Sequence, residues 1–187
     1  MRSNRLERFK GNIYICGFMA SGKSTLGKFL ADRMEWDYRD LDKVIEEGEN
    51  MSINKIFRDE GEDYFRKKEQ EYLIELSGRF KGIISLGGGA LQNQHIVDHL
   101  KVSGLLIFVD TPLDTIVERV MESDHRPILF DDKGEIKSKE TLFTELKALY
   151  SEREKFYKQA QIKLDSSLYP KKEQMIKAAI DKITRHV

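Results

Sequence analysis

Five short apolar runs punctuate the chain, at residues 12–16, 37–40, 82–86, 105–109 and 162–164, each bounded by glycine, aspartate or proline. Runs of that length with such borders predict buried strands. The longer segments between them carry apolar residues at helical spacing and predict helices over 23–34, 53–57, 62–76, 94–100, 112–121, 139–160 and 171–185. Along 62–76, Phe65, Glu69, Tyr72, Leu73 and Leu76 share one side, an apolar stripe interrupted by one acid. Pro112 suits a first helical turn, with Thr111 as the cap ahead of it. Strand alternating with helix implies right-handed crossovers and a parallel, doubly wound sheet between helical layers. Ligands of such α/β sheets gather at the carboxyl ends of the strands. The chemistry is therefore expected just after the apolar runs.

Composition adds limits. The 187 residues are expected to form a single domain, 1–187, with 40% apolar and 34% charged side chains. Thirty-two basic residues balance 32 acidic ones, so no basic excess points to nucleic acid or a membrane surface. The lone Cys16 excludes an intramolecular disulfide and, within its apolar run, reads as a buried, inert thiol. Apolar stretches reach only about six residues, too few to cross a bilayer. Residues 1–11 are polar and basic but carry Glu7, which reads as a frayed tail or short lead-in helix rather than a targeting segment. A cytoplasmic protein is expected, and a monomer is plausible because one compact domain can bury its own core.

After the first apolar run stands Gly17-Phe18-Met19-Ala20-Ser21-Gly22-Lys23-Ser24-Thr25, the G-x-x-x-x-G-K-[ST] pattern between a predicted strand and a predicted helix. Its glycines let the backbone curl so that successive N–H groups face phosphate oxygens, and the helix start adds partial positive charge. Lys23 suits the β- and γ-phosphates, and the Ser24 hydroxyl suits Mg²⁺. Nucleotide binding follows, with Gly17, Ala20, Ser21, Gly22, Lys23, Ser24 and Thr25 as contacts. What is done with the nucleotide does not.

Three further clusters bear on that. Tyr38-Arg39-Asp40-Leu41-Asp42 places two acids at i, i+2 as a short strand ends, so on an extended chain both carboxylates lie on one side. Phe65-Arg66-Lys67-Lys68-Glu69 falls on a predicted helix, and Leu86-Gly87-Gly88-Gly89-Ala90 ends the third apolar run. Taken alone, Asp40 and Asp42 fit equally well as a strand end capping a helix over 43–47. Likewise Arg66 and Arg153 alone read as solvated helix residues, and the glycines as a turn.

Together and in this order, these pieces resemble the shikimate kinase family. The similarity continues through Arg126-Pro127-Ile128-Leu129, like the family's lid motif, and Arg153-Glu154-Lys155-Phe156-Tyr157, like its last arginine motif, spanning residues 13–165. The resemblance implies a three-layer P-loop fold with a five-stranded parallel sheet and a mobile lid at about 122–137. It also implies an acceptor-binding region at about 33–66, and ATP, Mg²⁺ and the acidic alcohol shikimate as ligands.

Several residue roles follow from the same resemblance. Asp42 corresponds to the acid that orients the acceptor hydroxyl and takes its proton, and Asp40 to the acid holding Mg²⁺ through water. Arg66 and Arg153 correspond to the pair that grips the acceptor carboxylate, a task suited to planar bidentate donors. Gly87, Gly88 and Gly89 let the acceptor ring approach the backbone, and Glu69 can orient Arg66 one turn away. Arg126 would offset charge on the transferring phosphoryl group, and Arg119 would stack near the adenine, unless it is simply an exposed helix arginine. Two departures stand out: Ala20 occupies a loop position where the family often has glycine, and 130–139 is longer and more charged than the lid pattern. A gluconate-type kinase, or a silent nucleotide-binding domain of the same fold, is the competing reading. His95, His99, His125 and His186 show no metal spacing and are taken as surface residues, and Trp36 as a packing residue.

Overall fold

Alternate residues of the central strand point into two different cores, which is why no polar–apolar alternation marks it. The computed structural model describes residues 9–123, 127–131 and 133–187. Its strands are β1 (Asn12–Cys16), β2 (Tyr38–Asp40), β3 (Ile83–Ser85), β4 (Gly104–Asp110) and β5 (Ile162–Asp165). They form one sheet in the order β2-β3-β1-β4-β5, and every neighbouring pair is parallel. The described helices are α1 (Lys23–Met34), α2 (Leu41–Glu49), α3 (Ile53–Asp59), α4 (Gly61–Arg79), α5 (Gln94–Ser103), α6 (Leu113–Met121), α7 (Lys139–Tyr157) and α8 (Lys172–His186).

Tyr14, Cys16, Leu106 and Phe108 face the core built with α2 to α7; Ile13, Ile15, Leu105, Ile107 and Val109 face the one built with α1 and α8. Each such apolar side chain contributes about 1.5–3 kcal/mol by leaving water, so strands covered on both faces hold the sheet's middle together. Cys16 is fully buried and burial pushes its thiol up to about 12, as befits an inert packing residue.

The expected three-layer α/β architecture is present, and the five strands fall within about two residues of their predicted bounds, the usual scatter of element ends. The differences have physical causes. Residues 41–49 form a full helix, α2, expected only as an alternative over 43–47 because just Leu41 and Ile45 anchor its short span. Asp42 therefore sits in a first helical turn, and the two acids do not share one side of an extended strand. Asp40 occupies the cap position of α2 but makes no side-chain cap bond; its carboxylate is taken by Ser24 instead. Thr111 does not cap α6 either, since Pro112 holds that place and the Thr111 hydroxyl donates to the Ser21 carbonyl at 3.1 Å. Phe9, assigned to a frayed tail, stacks on Trp36 with ring centroids 6.2 Å apart and packs against the second core.

Within the expected lid, Pro127–Leu129 is a turn of 3-10 helix and Phe130 pairs antiparallel with Ile136. Leu129 is buried in the first core. That polar-looking stretch thus carries an apolar anchor. Residues 1–8, Arg126 and His125 lie outside the described residues.

Candidate active site

At the end of β1 the backbone must turn sharply into α1, and it does so through three residues of positive φ: Gly17 at 144°, Ala20 at 56° and Gly22 at 96°. Gly17 is required sterically as well, because a Cβ there would lie 2.6 Å from the Val109 carbonyl oxygen. Ala20 carries a side chain in the left-handed region, where a non-glycine residue costs about 1–2 kcal/mol. The Arg119 guanidinium holds that turn by donating to the Ala20 carbonyl at 2.9 Å. Thr111 holds the next carbonyl, that of Ser21, and Ser166 in turn donates to Thr111 at 2.9 Å. Residues following β4 and β5 thereby tie down the loop's carbonyls. The opening amides of α1 have no intrahelical partner, which suits them to an anion.

Lys23 donates to the Phe18 carbonyl at 2.8 Å. Ser24 Oγ donates to Asp40 Oδ2 at 2.8 Å, and the Tyr38 hydroxyl donates to the same oxygen at 3.1 Å. No group of three or more His, Cys, Asp or Glu among the described residues could cage a metal. A hydroxyl beside one carboxylate is the donor set that suits a Mg²⁺ ion keeping most of its water.

On the β3 side the three glycines after Leu86 form a floor on which charged side chains from three helices converge. A Cβ on Gly87 would stand 2.8 Å from Asp42 Oδ1 and 2.7 Å from Glu69 Oε1, so both carboxylates rest directly on its backbone. A Cβ on Gly89 would stand 2.5 Å from Arg66 Nη1, and one on Gly88 3.7 Å from Arg153 Nη1. Asp42, Arg66, Arg153 and the three glycines, separated by up to 111 positions in the chain, thus meet around one point.

Their electrostatics are set by burial. Glu69 is only 2% exposed, and burial pushes its carboxyl up despite Arg66, which donates Nη1 to Oε2 at 2.7 Å. Arg66 also reaches Glu62 Oε1 at 3.1 Å, so two acids of α4 fix the guanidinium plane. Burial, and then the Asp40 charge, push the Asp42 carboxyl up; Lys23 and Arg66 oppose them. Arg153, 9% exposed, lies over the Phe18 ring at 5.9 Å. With its amide oxygen turned inward, Gln92 accepts from Arg153 Nε at 2.7 Å. Glu49 at the end of α2 accepts from Tyr64 at 2.6 Å and Tyr72 at 2.9 Å, pinning the helix of Asp42 to the helix of Arg66 and Glu69.

The phosphate loop lines a cavity of about 690 Å³ that reaches the glycine floor at Asp42 and Gly88. Asp40, Asp42 and Gly88 line it on the β2–β3 side, and Arg119, Tyr169 and Pro170 on the β4–β5 side, with Ser21–Thr25 between. The chain as a whole has known counterparts. The family model for shikimate kinase matches residues 19–184. A shikimate kinase from Persephonella marina is 38% identical over 155 residues, covering 83% of this chain and 88% of its own. One from Aquifex aeolicus is 37% identical over 165 residues, covering 88% and 91%. The structure of shikimate kinase from Acinetobacter baumannii in complex with shikimate superposes with a TM-score of 0.84, at 26% identity, covering 98% of both chains.

The chain belongs to the shikimate kinase family. Every residue singled out by resemblance to that family, Arg126 apart, lies at this cavity or at the adjoining glycine floor. Sequence reasoning missed Phe18, Gln92, Tyr157 and the stretch from Ser166 to Lys172. Tyr157 stands one turn after Arg153 and donates to the Gly88 carbonyl, a spacing that could have flagged it. The residues after β5 could have been found by applying the strand-end rule to the fifth apolar run as well as the first three.

Proposed function

We propose that the protein is a shikimate kinase that transfers the γ-phosphoryl group of ATP to the 3-hydroxyl of shikimate, within aromatic amino-acid (chorismate) biosynthesis. The observation that carries this reading is the convergence of Arg66, Arg153 and the Asp42 carboxylate on the glycine floor beside the phosphate loop, with the second carboxylate there, Glu69, already paired to Arg66. An acceptor with a carboxylate at one end and a hydroxyl at the other satisfies all three.

Phosphoryl transfer asks the protein for positioning and charge compensation more than for covalent chemistry. Arg66 and Arg153 grip the acceptor carboxylate, and Glu69, buried against Arg66, keeps that guanidinium in plane. Asp42, against Gly87 of the floor, orients the acceptor hydroxyl and takes its proton. A carboxyl pushed up by burial is a better base than a solvated one. Lys23 moves from the Phe18 carbonyl to the β- and γ-phosphates, and the loop amides hold the remaining phosphate oxygens. Ser24 and Asp40 would hold Mg²⁺, which when bound neutralises charge on the β- and γ-phosphate oxygens. Arg126 closes over the transferring group as the segment at about 122–137 moves, and Arg119 stacks on the adenine. The reading is of a monomer acting in the cytoplasm.

A coupled ADP-release assay with Mg-ATP and shikimate, gluconate, nucleoside monophosphates or water tests the reading. Turnover of about 1–100 s⁻¹ on shikimate alone is the expected result for a kinase of this type. Turnover on gluconate instead, or on no acceptor while ATP still binds, would overturn it.

A further inference from the structure

The phosphate-loop pattern leaves its second position open, yet Phe18 there is 1% exposed and touches both halves of the site. Tyr150 meets its ring edge-on, with centroids 5.5 Å apart and planes at 86°. The Arg153 guanidinium carbon lies 5.9 Å from the ring centroid. The Phe18 carbonyl accepts from Lys23 at 2.8 Å. Next along, the Met19 amide nitrogen would lie 3.3 Å from a Cβ on Gly88, so the 18–19 segment rests on the glycine floor.

These contacts belong to one helix face. Tyr150, Arg153 and Tyr157 stand at i, i+3 and i+7 of α7. Tyr157 stacks on Phe108 at 5.3 Å and donates to the Gly88 carbonyl, so the helix that presents Arg153 is locked to the floor on one side of Phe18 and to its ring on the other. Plain core packing would need only an apolar side chain of about this volume. It would need neither a cation over the ring face nor a lysine on the carbonyl of the same residue.

We propose that Phe18 is a positioning residue that couples the two substrate sites: its ring seats the acceptor arginine Arg153, and its peptide answers to Lys23 and the nucleotide phosphates. Nucleotide binding draws Lys23 from the Phe18 carbonyl and holds the 18–19 segment in its place on Gly88, which firms the ring under Arg153. Coupling of this kind is reciprocal, so acceptor binding tightens nucleotide binding by the same factor. The inference rests on the proposed shikimate kinase reading.

Calorimetry of shikimate binding, with and without a saturating non-hydrolysable ATP analogue and Mg²⁺, tests it in the full chain. In the wild type the analogue should tighten shikimate binding about fivefold or more, the lower end of typical site-to-site coupling. Phe18→Leu keeps an apolar side chain but removes the ring face; shikimate binding should weaken about fivefold, as loss of a cation–ring contact at the weak, long-distance end of the usual range predicts. The tightening by the analogue should vanish with it, KM for shikimate should rise more than kcat falls, and affinity for the analogue alone should hold. If the leucine variant does not fold, Tyr150→Leu removes the ring that backs Phe18 and should reduce the tightening in part. A leucine variant with wild-type shikimate affinity and full tightening, whatever its melting temperature, would reduce Phe18 to packing. So would a wild type that phosphorylates shikimate but shows no tightening. A wild type that neither binds nor phosphorylates shikimate would instead overturn the functional reading itself.

Discussion

The phosphate loop and the glycine floor adjoin one another but are built on opposite plans. The loop is nine consecutive residues whose shape comes from backbone torsions at Gly17, Ala20 and Gly22, and whose carbonyls are tied off by Thr111 and Arg119. It presents mostly main-chain donors. The floor is the reverse: a bare backbone at Gly87–Gly89 onto which α2, α4 and α7 each lower a charged side chain. Its charges are buried and lean on one another, as Glu69 does on Arg66. A site made of backbone tolerates many side chains and recognises what all nucleotides share. A site made of side chains held in low dielectric is selective, and fragile to single replacements.

Replacements on the two sides should therefore differ in kind. The largest effect is expected for Asp42→Asn, which removes the proposed proton acceptor: kcat should fall about a hundred- to ten-thousandfold while ATP affinity stays near wild type, checked by single-turnover rates and nucleotide titration. Near-normal turnover would mean that Asp42 is neither base nor orienter. Arg153→Ala should act on binding instead, raising KM for the acceptor about thirtyfold, or about 2 kcal/mol, for loss of a charged hydrogen-bonding partner. An unchanged acceptor KM would remove Arg153 from the pocket's function.

Asp42→Asn should also stabilise the fold at neutral pH. Burial and the Asp40 charge hold the Asp42 carboxyl above its ordinary 3.8, so folding favours the protonated form and ionisation costs stability. That cost is absent below pH 3.8, grows as pH rises to the folded-state value and is complete above it. Asparagine never ionises; its gain, of about 1 kcal/mol as for other relaxed functional residues, should appear at pH 7 and disappear in acid melts. Equal melting temperatures of the two proteins at pH 7 would contradict the buried-charge account.

The smallest effect belongs to the backbone half. Ala20→Gly relieves a left-handed alanine but frees the unfolded chain, terms of about 1 kcal/mol each and of opposite sign. Stability and ATP affinity should both stay near wild type, measured by denaturant melts and nucleotide titration. A loss of ATP affinity would show that the alanine methyl itself shapes the loop.

The same contrast explains what could be read in advance. The loop is local, so its pattern could be read directly, and the doubly wound sheet followed from strands and helices that alternate with fully apolar runs. The helix at 41–49 entered only as a shorter alternative over 43–47, because two buried residues in nine leave little periodic signal, and Asp42 changed its setting with it. The apolar anchor Leu129 was hidden among charges. Phe18 looked like an open position of a motif until α7 was laid across it.

By itself, then, the sequence determined the layered α/β fold, the phosphate loop and the identity of the charged groups, because each is encoded in adjacent residues or in repeating apolar periods. Only the tertiary structure decided that Asp42, Glu69, Arg66 and Arg153 share one floor. It also set which acid caps nothing and binds Ser24 instead, and placed an aromatic ring between the phosphate loop and the helix that carries Arg153. Those outcomes depend on contacts between elements far apart in the chain, where burial and close packing, not local propensity, set the geometry.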